Sequence, residues 1–376
     1  MTRQILAGLD AAAFLRLHWQ KKPLLARQAL PEFTSLLTRK TLFELAARDD
    51  VHSRLVTRNR GRWQIEHGPF AVRALARLPK RNWTLLVQGV NHLLPRAQEL
   101  LLEFAFIPYA RLDDIMVSYA PPGGGVGPHF DSYDVFLLQL AGTRRWRVSA
   151  QRDLSLVDGA PLKILRRFQP RHEWLLHPGD MLYLPPRYAH DGDAVDECLT
   201  CSIGFRAPGA QELGTSFLEF LQDRLALDGI YRDADLKLQE HPAQISTAML
   251  QQMRRMLERI RWQDSDIAQF AGQFLTEPKP HIVFDPPHRP LSPAAFVSRV
   301  ARQGVRLALK SQMLCRGRQV FINGERCVVH AAAALLLRFA DQRRLPPNTL
   351  IPEEAAHWLY QWYRAGYIEL ERSVSR

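Results

Sequence analysis

Two histidines and one aspartate are the residues best placed to do chemistry. His129 and Asp131 flank Phe130 in "GPHFDSYDVF", and His190 closes "PGDMLYLPPRYAH". On an extended strand alternate side chains share a face, so His129 and Asp131 are expected to aim together, with Phe130 opposite. Before His190, Pro178-Gly179-Asp180 reads as a turn, "MLYLP" as a strand, and the Pro-Pro pair as a corner that presents the histidine. Two imidazoles and a carboxylate make the facial triad of non-heme Fe(II) oxygenases. That set leaves adjacent coordination positions open for a bidentate co-substrate and O₂. A lone His-x-Asp on a strand is more often part of a salt bridge, so the weight rests on the combination.

A bidentate co-substrate with a distal carboxylate needs a cation beyond the metal. "LQLAGTRRWRV" turns tightly at Ala141–Thr143 and returns as a strand carrying Arg144, Arg145, Trp146 and Arg147. Alternation puts Arg144 and Trp146 on one face and Arg145 and Arg147 on the other. An inward guanidinium requires a partner, and its planar fork matches a carboxylate. The run "PPGGGVGPHF" supplies backbone freedom just before the first ligand. Its glycines permit positive φ and close passage beside a bulky ligand, and Pro128 fixes the start of the strand.

These residues need a frame. Residues 1–110 read as mainly helical, from "DAAAFLRLHW" and "RKTLFELAAR". From Asp113 the period shortens: "DDIMVSYA", "DVFLLQLAG", "RRWRVSA", "EWLLHPGDMLYLPP" and "ECLTCSIGFRA" are short strand-like runs between Gly and Pro turns. A glycine-rich approach, His-x-Asp, a hairpin and a histidine behind a Pro-Gly-Asp turn occur together in the double-stranded β-helix, or cupin, barrel. After Pro208 come amphipathic helices, "LGTSFLEFLQDRLAL" and "ISTAMLQQMRRMLERIRW". In the second, Met249, Met253, Met256, Leu257 and Ile260 share a face that suits a core or a dimer seam. "TEPKPHIVFDPPHRPLSP" reads as a linker. A helix, strands turning on Asn323-Gly324 and two further helices, the last closed by Gly366, then suit a small winged-helix-like module.

Composition narrows the classes. The 376 residues are 46% hydrophobic with a net charge of +12, and this basic excess favours polyanionic surroundings such as nucleic acid or ribosomes. No apolar run approaches the roughly 18 residues of a membrane span. The amino terminus lacks a signal-peptide pattern, and four cysteines are too few for a disulfide scaffold, so a cytoplasmic protein is expected. Cys198 and Cys201 match C-x-x-C, but three apart on a strand they face opposite ways and read as core thiols. His172 and His177 read as surface residues.

The stretches "HWQKKPLL", "PPGGGVGPHFDSYDVFLLQ", "TRRWRV", "HPGDMLYLPPRYAHDG" and "SIGFRAP" resemble the JmjC-type bacterial ribosomal oxygenases, specifically the ribosomal protein arginine hydroxylases. The resemblance spans the chain and implies an α+β protein. Its parts would be a JmjC/cupin barrel with N-terminal helical elements (1–208), a helical dimerisation segment (209–275), a Pro-rich linker (276–293) and a winged-helix domain (294–376). It implies Fe(II)- and 2-oxoglutarate-dependent hydroxylation, using O₂, of an arginine in a large-subunit ribosomal protein. His129, Asp131 and His190 match the iron ligands, and Arg144 matches the residue that grips the 5-carboxylate of 2-oxoglutarate. Asp114, Met116, Tyr133 and Ser202 match substrate-side positions. Asp114 also reads as a surface acid at a strand end. Ala120 and Thr200 depart from the pattern, which has serine and asparagine there. Two alternatives stand beside this: the same site acting on a ribosomal histidine, or a winged-helix nucleic-acid-binding regulator with a non-catalytic barrel. The helices of the end module show few outward basic residues together, so a recognition helix has little support and direct nucleic-acid binding stays open.

Overall fold

Strong alternation between Leu112 and Phe205 produces the framework of the molecule. The computed structural model describes residues 5–59 and 61–371. The strands in chain order are β1 (Leu24–Ala26), β2 (Ser53–Asn59), β3 (Arg62–His67), β4 (Trp83–Val87), β5 (Leu112–Ala120), β6 (Val135–Ala141), β7 (Arg144–Ser149), β8 (His172–Leu176), β9 (Met181–Leu184), β10 (Ala189–Ala194) and β11 (Cys198–Phe205). They form an eight-stranded sheet, ordered β1-β9-β6-β11-β5-β4-β2-β3, and a three-stranded sheet, β10-β7-β8. The pairings are antiparallel, and this is the double-stranded β-helix expected from the motifs.

The two faces of the central strands serve different ends. Ile115, Val117, Tyr119, Phe136, Leu138, Cys201 and Ile203 point outward into one continuous apolar core. Helices α1 (Ala11–Leu17), α2 (Arg39–Ala46), α3 (Val72–Ala76) and α4 (Pro95–Leu102) cover that face with Phe14, Phe43, Leu75 and Leu100. Asp10 caps α1 by accepting from the Ala13 amide at 2.7 Å. The fully buried Phe14 ring meets Tyr183 edge-on at 5.0 Å, and burying such a ring contributes about 2–3 kcal/mol. The alternate residues, Asp114, Met116 and Ser118 of β5, Thr200 and Ser202 of β11, and Val135 and Leu137 of β6, face a cavity of about 600 Å³ between the sheets.

The helical reading of residues 1–110 is corrected: four strands lie there, and β4, β2 and β3 extend the large sheet beyond β5. The β2–β3 hairpin alternates in sequence. β4, "WTLLV", is buried throughout, and a short apolar run of that kind cannot be told from a buried helical turn by periodicity.

Beyond the barrel lie α5 (Ala210–Gln222), α6 (Thr247–Leu257) and α7 (Asp264–Thr276). After a stretch without regular structure from 277 to 292, α8 (Pro293–Gln303) opens the C-terminal module. It continues through β12 (Val305–Leu307), β13 (Met313–Arg316), β14 (Gln319–Ile322), β15 (Glu325–Val328), α9 (Ala333–Gln342), β16 (Arg344–Leu345), α10 (Glu353–Ala365) and β17 (Ile368–Leu370). Residues 372–376 lie outside the described residues. Asn323 and Gly324 turn the β14–β15 hairpin with φ of 50° and 86°. α7 joins this module: Gly324 donates its amide to Thr276 Oγ1 at 3.0 Å, and Gln273 Nε2 donates to the Gly324 carbonyl at 3.1 Å.

Candidate metal centre

His129, Asp131 and His190 each offer a ligand atom within 4.8 Å of the others, and no second cluster of this kind occurs among the described residues. The device that joins the histidines is a backbone bridge. The His129 amide donates to the His190 carbonyl at 2.9 Å, and the His190 amide donates back at 2.8 Å. This corrects the strand expected across 129–133. His129 holds a single isolated bridge, Asp131 lies in irregular chain, and β6 starts only at Val135. Alternation therefore does not align the pair. Pro128 has no amide to give to a ladder, and the Asp131 carbonyl is fixed instead by the Arg187 amide at 2.7 Å.

Each imidazole has its outer nitrogen committed. His129 Nδ1 lies 2.9 Å from the Gly127 carbonyl, and His190 Nδ1 lies 2.9 Å from that of Tyr188. A carbonyl only accepts, so Nδ1 carries the proton and the Nε2 lone pair is free to ligate. His190 Nε2 lies 3.6 Å from Asp131 Oδ2. Burial, with help from His129, pushes the His190 pKa down to about 4, which keeps it neutral at physiological pH.

The glycine run works differently from expectation. Gly127 adopts φ of 79°, as the turn requires. The close approach, however, is to protein: a Cβ on Gly125 would stand 2.6 Å from the Gly192 carbonyl. The glycines let this segment press against β10, where His190 sits.

In the same cavity Arg144 is 3% exposed. Its Nη2 donates to the Gly192 carbonyl at 3.0 Å, and Nη1 to Ser118 Oγ at 3.3 Å and Thr200 Oγ1 at 3.4 Å. Its Nε has no acceptor and, among the described residues, no carboxylate forms an ion pair with it. Trp146 lies beneath it, 5.0 Å from the guanidinium carbon to the ring centre, with a buried and unpaired Nε1. Gly192 stands opposite Trp146 in the ladder, where a Cβ would meet the ring at 2.7 Å and Arg144 Nε at 2.9 Å. Arg145 and Arg147 point outward to Glu173 and to Asp191 and Asp193, as alternation requires. A buried cation with a donor left over is a site built for an anion that completes it.

Asp114, Met116 and Ser202 line the same cavity, and Tyr133 stands at its mouth, 40% exposed. Asp114 is buried at 4% exposure, which excludes its reading as a surface acid. Sequence reading missed Gln88, Arg54, Ser118 and Lys279, while the inward Trp146 beside Arg144 was expected from alternation. Gln88 donates to both Asp114 oxygens, Arg54 Nη2 approaches Met116 Sδ at 4.0 Å, and Lys279 arrives from residues that read as a linker. Only the inward alternation of Ser118 with Asp114 and Met116 could have signalled any of these. Thr200 keeps contact with Arg144 and donates to Gln139 Oε1 at 3.0 Å, while Ala120 packs with Ala194 and Cys198. Cys198 and Cys201 are free and buried on opposite faces of β11, and burial raises both thiols. His172 and His177 are exposed.

The JmjC domain family matches residues 99–213, and the ROXA-like winged helix matches residues 259–369. The chain is 35% identical over 317 residues to the ribosomal protein uL16 3-hydroxylase of Escherichia coli (strain K12), covering 83% of this chain and 84% of that one. It superposes on the X-ray structure of E. coli ycfD with a TM-score of 0.86 at 32% identity, over 96% of this chain and 98% of the other. A structure of YcfD in complex with cobalt and 2-oxoglutarate matches with a TM-score of 0.82 at 31% identity, over 97% and 99%. Fold and site thus define a JmjC-type barrel with two histidines and one carboxylate lining its cavity. The chain belongs to the ribosomal oxygenases of the JmjC family.

Proposed function

We propose that this chain is an Fe(II)- and 2-oxoglutarate-dependent dioxygenase that hydroxylates an arginine side chain of the large-subunit ribosomal protein uL16 in the cytoplasm. The observation that carries the reading is the pairing of two unlike anchors in one cavity. Arg144 and the buried carboxylate of Asp114 line the same cavity as the triad, with Met116 and Ser202.

His129, Asp131 and His190 would hold the metal through two Nε2 atoms and a carboxylate oxygen. Fe(II), once bound, supplies the redox chemistry that couples decarboxylation of 2-oxoglutarate to insertion of one oxygen atom into a C–H bond. Arg144 would take the distal carboxylate of the co-substrate in its fork, with Ser118 and Thr200 steadying the guanidinium. The buried Trp146 ring packs against the guanidinium and would help hold its plane. Asp114 would take the substrate guanidinium, and Met116, Tyr133 and Ser202 would flank its methylene stem.

The test is mass spectrometry of recombinant uL16 after incubation with the enzyme, Fe(II), 2-oxoglutarate and O₂. One added oxygen on an arginine is expected. Oxygen on a histidine, or no modification of any ribosomal protein, would overturn the reading. The proposal includes a homodimer joined through α5 and α6. No residue of α6 is buried, and Leu250, Met253 and Leu257 stand exposed on it with Leu218 on α5. Sedimentation should give twice the mass of the chain.

A further inference from the structure

Asp114 is a buried acid, and a buried carboxylate needs a counter-charge. Within the barrel Gln88 Nε2 supplies hydrogen bonds of 3.2 and 2.9 Å to its two oxygens. The charge comes from outside. Lys279, in the segment between α7 and α8, places Nζ 2.8 Å from Asp113 Oδ1 and 3.5 Å from Asp114 Oδ2. Pro278 and Pro280 flank it and confine its backbone, while the four-carbon stem keeps its rotations. The side chain is 41% exposed. Burial works to lower its pKa, but Asp114 and Asp113 outweigh this and raise it, so it stands there as a cation. With Asp113 it also lines a second cavity, of about 520 Å³, between the barrel and the C-terminal module.

Resting on the arginine reading above, we propose that Lys279 is a resident cation on the substrate-binding carboxylate, and that the incoming guanidinium displaces it. The exchange sets specificity. A guanidinium grips a carboxylate through a planar two-point fork, whereas an ammonium acts as a point charge. Arginine therefore outcompetes Lys279, and a substrate lysine gains nothing over it. The displaced ammonium has a place to go, because Asp113 already holds it at the shorter distance. The segment between α7 and α8 is thereby part of the substrate site.

The test measures binding of recombinant uL16 to full-length enzyme under anaerobic conditions with Fe(II) and 2-oxoglutarate, followed by aerobic kinetics. Lys279→Met should tighten uL16 binding about fivefold and lower KM with kcat unchanged, the scale of losing a competing ion pair of about 1 kcal/mol. Lys279→Arg should weaken binding by a similar factor, because the resident group then has a fork of its own. These opposite signs are something a merely structural role would not produce. Binding unchanged or weakened in Lys279→Met, including weakening in both variants, overturns the proposal. Asp114→Asn separates it from its foundation. If that variant binds uL16 like the wild type, the arginine reading itself falls. If it binds poorly while Lys279→Met fails to tighten, only the resident-cation inference falls.

Discussion

Arg144→Met should produce two effects of opposite sign. The guanidinium is 3% exposed, its protein contacts are to neutral oxygens, and its Nε is unpaired. That arrangement is unfavourable until an anion completes it. Methionine fills much of the same stem volume without the charge, and relieving one unsatisfied buried donor is worth about 1 kcal/mol, or about 2 °C in Tm for a chain of this size. Binding moves the other way. Leaving one member of a buried ion pair alone costs about 3–5 kcal/mol, so 2-oxoglutarate affinity should fall at least about 100-fold. Arg144→Lys keeps a charge but loses the fork and should fall between, at about tenfold. Anaerobic calorimetric titration of 2-oxoglutarate into Fe(II)-loaded enzyme, paired with thermal melts with and without co-substrate, reads both effects. Affinity in Arg144→Met within about threefold of the wild type would refute the assignment of Arg144 as the co-substrate anchor.

Asp131→Asn retains the shape of the ligand but removes its charge. Fe(II) affinity should drop at least about 100-fold, and succinate release should vanish while the fold persists by circular dichroism. Gly192→Ala introduces a Cβ 2.7 Å from Trp146 and 2.9 Å from Arg144 Nε, so 2-oxoglutarate affinity should fall while iron content holds. His92 is half-buried with its Nδ1 buried and unpaired, and desolvation, followed by Lys279, pushes its pKa down to about 4. The unfolded chain binds that proton below about 6.5, so unfolding takes up a proton between there and about 4, and stability falls by about 3 kcal/mol as pH drops through this window. His92→Phe should flatten the Tm-against-pH slope there by about one proton, and an unchanged slope would count against the buried neutral state.

Much of the candidate site was legible because the chemistry proposed for it constrains residue type. A metal triad demands particular donors, and His129, Asp131 and His190 carry them. Arg144 was legible because "RRWRV" alternates cleanly and one face of a barrel strand must look inward. The means of convergence was not legible. The His129–His190 bridge joins segments far apart in the chain, and local periodicity at 129–133 suggested a continuous strand. β10, "AHDGDA", has little strand character and depends on pairing with β7. Among the strands before residue 110, β4 was hidden because it is buried throughout and shows no alternation, whereas β2 and β3 do alternate. Lys279 was invisible because a cation in a proline-rich stretch takes its meaning only from the surface it reaches.

The reciprocal amide bridge between His129 and His190 has a consequence for biogenesis. A nascent chain carrying only the first histidine and the aspartate owns two donors and nothing to hold them in register. The centre can come into being only when β10 seats beside β7 and brings His190 across, through long-range pairing of the kind that folds slowly. Metal uptake at this site would then report that the barrel has closed, and a copy ending before β10 would lack the third donor.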